Sequence, residues 1–208
     1  MKLVAHSEDQ TPADDAGELA GLLAAASAGQ ESAWREIVDR FGRRVFALAK
    51  SRCRNVDVAE EITQSVFATI AAKLAQGLYV EQGRFESWLF RITMNRVRDE
   101  GRRTKRQATS DAGDALERAP DHRMEQRPGG DAGESVEALR RAMSSLSESD
   151  REIVELRHHG GMSFKQMSDL LHEPLGTLLA RHHRALRKLK EILEESFADR
   201  EDTRGGAS

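Results

Sequence analysis

Eight cations crowd the stretch from Arg84 to Arg106. Arg84, Arg91, Arg96, Arg98, Arg102, Arg103, Lys105 and Arg106 stand against only Glu86, Asp99 and Glu100, a local charge of +5 in a chain whose net charge is −3. On a helix of about 3.6 residues per turn, Arg84, Arg91, Arg98, Arg102 and Lys105 line up on one face. Phe85, Trp88, Leu89 and Ile92 fall beside them, and Phe90, Met94 and Val97 form a second apolar strip. A helix apolar on two sides and basic between them is wedged into a helical core while offering cations outward. The chemistry of such a row is phosphate binding, and aromatic neighbours favour nucleic acid over a merely solvated basic face.

A second cationic face follows Leu175. Thr177, Ala180, Arg181, Arg184, Arg187 and Lys188 share one side of a helical repeat, opposite Leu175, Leu178, Leu179, His182, Leu186, Leu189 and Leu193, and no acid occurs between Leu175 and Lys190. A third constellation, His158, His159, His182 and His183, has metal-ligand side chains. Adjacent histidines on a helix diverge, however, and no glycine-rich phosphate loop or nucleophile motif accompanies them. The sequence therefore predicts no enzyme, no metal and no cofactor.

The elements that must carry these faces are all helical. The lead, residues 1–16, is acidic and aperiodic and is expected to be disordered. A helix from Gly17 carries Leu19, Leu22 and Leu23 and ends near Gly29, and Trp34, Ile37, Val38, Phe41, Val45 and Leu48 mark a longer one. A third begins after Asn55, with Ile62, Val66, Ile70 and Leu74 at steps of four and Glu60, Glu61, Gln64 and Ser65 on the other side. The segment from Gly77 to Gly83 breaks the pattern before the basic helix, so residues 17–106 form a four-helix bundle.

Residues 107–133 lack an apolar period and hold Pro120, Pro128 and several glycines, the composition of a flexible linker. Beyond it, residues 134–195 start with a Val136, Leu139, Met143, Leu146 stripe. Ser147 begins a helix with Ile153, Val154 and Leu156, and Ser163 with Gln166 has the form of a capping box. A tight turn at His172 and Glu173 then leads to Pro174, placed at the first position of the last helix. A short helix, a tight turn and a longer cationic helix describe a helix-turn-helix, whose second helix enters the major groove. The remainder, 196–208, is expected to be a flexible tail. The predicted fold is thus all-α, with two small helical domains joined by a linker.

Composition agrees. Four prolines and 32% charged residues suit a helical chain, and a single cysteine, Cys53, excludes an intrachain disulfide and points to a reducing, cytoplasmic setting. No run of about eighteen apolar residues suggests membrane insertion.

The order of these features resembles the sigma-70 family of bacterial RNA polymerase initiation factors, in particular the extracytoplasmic-function group. The resemblance rests on Ala59-Glu-Glu-Ile-Thr-Gln-Ser-Val-Phe67, on Phe85-x-x-Trp-Leu-x-x-Ile-x-x-Asn95 with its basic trailer, and on Gly176-Thr177 followed by Arg181 and Arg184. It implies that Glu60, Glu61 and Gln64 dock on core RNA polymerase. It also implies that the basic helix and its preceding loop capture and open the minus-ten element of promoter DNA, with Asn95 reading an unstacked base and Arg98, Arg102 and Arg103 holding phosphates. Thr177, Arg181, Arg184 and Lys188 would serve the upstream element. The chain differs from the family pattern at Glu61 and Ser65, at His172-Glu173 in the turn, and at Leu179-Ala180 in the recognition helix. An anti-sigma partner clamping both domains is compatible with the long linker. A free-standing helix-turn-helix repressor or activator is the competing reading, and it leaves the Glu60 to Phe67 segment without a task.

Overall fold

The computed structural model describes residues 12–53, 55–111 and 131–205. Helices α1 (Pro12–Ser27), α2 (Glu31–Cys53), α3 (Val56–Ala75) and α4 (Phe85–Asp111) make the first unit, and α5 (Asp131–Ser144), α6 (Glu148–His158), α7 (Phe164–Leu171) and α8 (Leu175–Gly205) the second. The described residues contain no strand.

The expected helix starts and stops are built from the anticipated caps. Asn55 Oδ1 accepts from the Val58 N–H at 3.2 Å, and Ser147 Oγ from the Asp150 N–H at 3.2 Å. At α7 the capping box closes in both directions, with the Ser163 N–H donating to Gln166 Oε1 at 2.7 Å and the Gln166 N–H to Ser163 Oγ at 3.2 Å. His172 ends α7 in the left-handed conformation, φ 57°, which histidine tolerates better than a β-branched residue. Pro174 lies one residue outside α8 rather than at its first position, its carbonyl accepting from the N–H groups of Thr177 and Leu178.

Several helix ends lie beyond the sequence-based boundaries. The first helix begins at Pro12, inside the expected lead, because proline is preorganised for a first turn. α4 runs to Asp111 and α5 starts at Asp131, shortening the expected linker from both sides; residues 112–130 lie outside the described chain. α8 continues through the expected tail to Gly205.

In the first unit, Ile37, Phe41, Val45 and Leu48 of α2, Val66, Ile70 and Leu74 of α3, and Phe85, Leu89, Phe90 and Met94 of α4 are buried. This core does not stop at the end of the unit. Ile153 and Leu156 of α6, Met162, Met167 and Leu170 of α7 and its approach, and Leu178 of α8 belong to the same continuous cluster. A smaller core of Ala142, Leu146, Val154, Ala185 and Leu189 joins α5 and α6 to α8. Here the anticipated stripe is rotated: α5 buries Ala138 and Ala142 and leaves Val136 and Leu139 exposed, and α8 buries Ala185 while Leu175, Leu179 and Leu186 face water. Alanine on both helices brings α5 and α8 close, which a leucine-on-leucine contact would prevent.

The joint between the units is made at Gly160 and Gly161. Arg44 of α2 donates Nε–H to the Gly160 carbonyl at 2.7 Å, and Gly161 has φ 62° with the Arg44 guanidinium 3.1 Å from where a Cβ would stand. At Gly160 a Cβ would meet the Leu156 carbonyl oxygen at 2.6 Å. Gly160→Ala is therefore expected to destabilise the protein by about 1–3 kcal/mol in urea unfolding, whereas Gly21→Ala, with open space around it, should not lower stability.

Candidate nucleic-acid interface

Helix α4 presents the first candidate surface. Its buried positions, from Phe85 through Leu89, Thr93, Val97, Phe90 and Met94 to Ser87, sweep about 200° of the helical wheel at 100° per residue. The two apolar strips inferred from sequence are thus one wide buried arc. Phe85 meets Phe41 of α2 with ring centroids 5.4 Å apart, and on the other edge Ser87 Oγ donates to the Gln166 carbonyl of α7 at 3.1 Å. The remaining arc is exposed and carries Arg84, Arg91, Asn95, Arg98 and Arg102.

Asn95 stands on that arc with its side chain toward water. Arg102 and Arg103 are also exposed and make only loose contacts one turn back, to Asp99 at 3.6 Å and Glu100 at 3.8 Å. Such surface pairs contribute little and exchange readily for another anion. Arg98 differs, because its guanidinium is bonded to Glu152 of α6. Burial pushes the Glu152 carboxyl up, against the opposing pull of Arg98 and Arg52.

The loop before α4 is ordered by a residue that the sequence reading passed over. Tyr79 stacks on Trp88 with centroids 4.2 Å apart and 17° between planes, and its hydroxyl donates to Glu81 Oε2 at 2.7 Å. Glu81 Oε1 in turn accepts the Arg84 N–H at 3.0 Å, holding the start of α4. Burial, then the Glu81 carboxylate, raise the Tyr79 hydroxyl pKa, so it remains a donor. Leu78 and Val80, on either side, are 65% and 73% exposed. The only tyrosine of the chain, set between Gly77 and Gly83 and nine residues before Trp88, was the available signal.

On α3, Glu60, Glu61 and Gln64 all face water, while Ala59, Ile62 and Val66 are buried behind them. These three polar groups form one accessible patch, as their spacing predicted.

In the helix-turn-helix, Thr177, Ala180, Arg184 and Lys188 of α8 are exposed. Lys188 reaches back to the Ser145 carbonyl at 3.1 Å. Arg181 is not outward in the same sense, because it forks onto Glu173 with Nη1 and Nη2 at 3.0 and 2.6 Å, and its side chain is 20% exposed. The hydrogen bond with Glu173 raises its pKa further, so it is a fixed cation tied to the turn. Glu173 was read only as part of the turn; the fork shows that it also orients a candidate DNA contact.

The histidines do not assemble. His158 and His182 approach with Nε2 atoms 3.4 Å apart, but no group of three or more His, Cys, Asp or Glu side chains suited to a metal exists among the described residues. Burial and the neighbouring His158 lower the His182 pKa. Cys53 offers no nucleophile either, since burial and then Glu100 push its thiol up to about 11. Among the described helices none is long and apolar enough to cross a membrane.

Comparison with known proteins matches this geometry. The profile described as sigma-70 region 2 covers residues 37–107, spanning α2 to α4, and that of sigma-70 region 4 covers residues 136–189, from α5 into α8. The chain is 30% identical over 94% of its length to the ECF RNA polymerase sigma factor SigE of Mycolicibacterium smegmatis, spanning 77% of that protein. It is 25% identical over 89% of its length to SigK of Mycobacterium ulcerans, another ECF RNA polymerase sigma factor, spanning 98% of it. The solved structure of CnrH in complex with the cytosolic domain of CnrY shares the fold, with a TM-score of 0.64 at 23% identity over 85% of this chain and 97% of that one. A paired region 2 and region 4 define the sigma-70 class of transcription initiation factors. Within that class, the chain belongs to the ECF RNA polymerase sigma factors.

Proposed function

We propose that the chain binds core RNA polymerase through the α3 patch of Glu60, Glu61 and Gln64 and directs it to promoters with a division of labour between its two units. The observation that carries this reading is the succession, in one chain, of region 2 and region 4 units, each with exposed cations on a helix whose opposite side is core. Residues 17–106 would hold polymerase and open the minus-ten element, and residues 134–195 would read the upstream element. Carboxylates on α3 suit a basic helical partner, and α4 suits a strand whose bases have left the stack.

In that division Asn95 offers an amide to an unstacked base beside Arg102 and Arg103, which hold the backbone. The Tyr79–Trp88 stack sets the loop that leads into this surface. Thr177 sits in the first turn of α8, the end of a recognition helix that approaches base edges, while Arg184 and Lys188 lie about two and three turns further along. Ala180 can offer only apolar contact to a thymine methyl. No covalent step is assigned to any residue, and the work is done by binding and by holding strands apart. That work is cytoplasmic, where core polymerase and promoter DNA are found. A free-standing repressor has no use for the α3 patch, and an anti-sigma partner that clamps both units would act by covering these same faces.

Three outcomes are expected. Glu60→Lys should weaken co-purification with core polymerase while leaving helicity unchanged, since Glu60 lies off the buried stripe of α3; unchanged retention of polymerase would rule the patch out as the docking surface. Asn95→Ala should slow strand opening, measured by permanganate reactivity, with duplex affinity nearly intact. Arg184→Ala with Lys188→Ala should do the reverse and lower the salt slope of duplex binding by about 1 per lost phosphate contact. The opposite pattern of losses would overturn the division of labour.

A further inference from the structure

The opening turns of a recognition helix are the part that approaches base edges, and in α8 they are short of donors. Leu178 is buried there, while Leu175, Gly176, Thr177, Leu179, Ala180 and His183 are exposed. Guanine is read by an arginine or lysine that donates to O6 and N7 together. None of the six exposed residues carries two side-chain donors side by side. The first exposed guanidinium is that of Arg184, about two and a half turns into the helix.

Arg181 is the one arginine or lysine between Leu175 and His183, and its leading edge is already engaged. Nη1 and Nη2 both donate to the Glu173 carboxylate, at 3.0 and 2.6 Å. Glu173 is fixed in turn: it follows His172, which has φ 57°, and its backbone carbonyl accepts from Ser168 Oγ at 2.6 Å. A pair of parallel charge-assisted bonds sets the direction of a guanidinium as well as its partner. Arg181 therefore keeps its charge beside the helix but points its outer N–H groups at the turn.

Small and apolar groups stand where a reading cation would be. Gly176 and Ala180, one turn apart, carry nothing longer than a methyl group, and nothing lies within 4 Å of where a Gly176 Cβ would stand. Leu179 is 42% exposed, and Thr177 adds a methyl and a hydroxyl. Such a surface can come close to the groove floor, where the apolar feature among base edges is the C5 methyl of thymine.

We propose that α8 reads its upstream element at thymine methyl groups through Thr177, Leu179 and Ala180, and that Glu173 excludes guanine by holding Arg181 on the turn. Glu173, an acid with no DNA contact of its own, thereby becomes a specificity-determining residue. The inference rests on the reading that the second unit meets the upstream element.

Selection of fragments from a random duplex library by the full chain assembled with core RNA polymerase tests it. The upstream block recovered with the parent chain is expected to be rich in A·T pairs and to require no guanine. Deoxyuridine in place of its thymidines removes only the C5 methyl and should weaken binding about fourfold per contacted position, the factor expected for one buried methyl. Glu173→Ala should add a guanine to the recovered block, and Glu173→Ala with Arg181→Ala should lose it again. The proposal is overturned by a required guanine in the parent block or by full affinity for the uracil duplex, which needs no variant to fold. It is equally overturned if Glu173→Ala at parental helicity gains no guanine, or if the double variant keeps it. Failure of the underlying reading looks different: the minus-ten block is then enriched with no upstream block at all, which overturns both.

Discussion

Burial of α4 over more than half its circumference is the constraint on which the rest of the structure depends. α2 and α3 cover one side of the arc through contacts such as Phe41 on Phe85, and α7 closes its other edge at Ser87. Since Phe90 and Met94 are fully buried, truncating either to alanine forfeits the several kcal/mol typical of a large core side chain. The exposed remainder of the helix is narrow, and the polar groups that belong to it, Asn95, Arg98 and Arg102, are held in fixed register by what lies behind them. If, as proposed, this surface offers an amide to an unstacked base beside cations that hold phosphates, its precision comes from that rigidity.

The electrostatics follow from the same arrangement. With a net charge of −3, the chain as a whole is not drawn to DNA, so affinity has to come from local faces. On α4 and α8 the cations differ in how they are engaged. Arg102 and Arg103 make only exposed one-turn pairs, whereas Arg98 and Arg181 are bonded to Glu152 and Glu173. The first kind is available to any anion, and the second must exchange one partner for another, which makes it sensitive to conformation.

Much of this was legible in the sequence, and the reasons for the remainder are physical. Helix identity, the caps at Asn55, Ser147 and Ser163, and the exposure of Glu60, Glu61 and Gln64 follow from local rules that act within one or two turns. Family membership was legible from motif order. The rotated stripe of α5 and α8 was not, because alanine carries no weight in an apolar period even though Ala142 and Ala185 decide how closely the two helices approach. Nor were the Arg52 and Arg98 pairings to α6, which join residues 96 and 54 positions apart in the chain. Charge pattern alone marked Arg98 as free and left Arg52 unremarked. The core shared between the units escaped for a related reason: the polar stretch at residues 107–133 suggested independence, whereas Ile153, Leu156 and Met167 needed apolar partners that the first unit supplies.

The two units pack together in the free protein, and whether docking on core RNA polymerase separates them is measured most directly by the distance between them. With Cys53 replaced by serine, fluorophores at Ala72→Cys and Ser144→Cys, both exposed positions on different units, report that distance by single-molecule energy transfer. One high-transfer population is expected for the free chain, with a shift to lower transfer when core RNA polymerase is added. An unchanged distance in a polymerase complex that still initiates transcription would contradict separation of the units on docking.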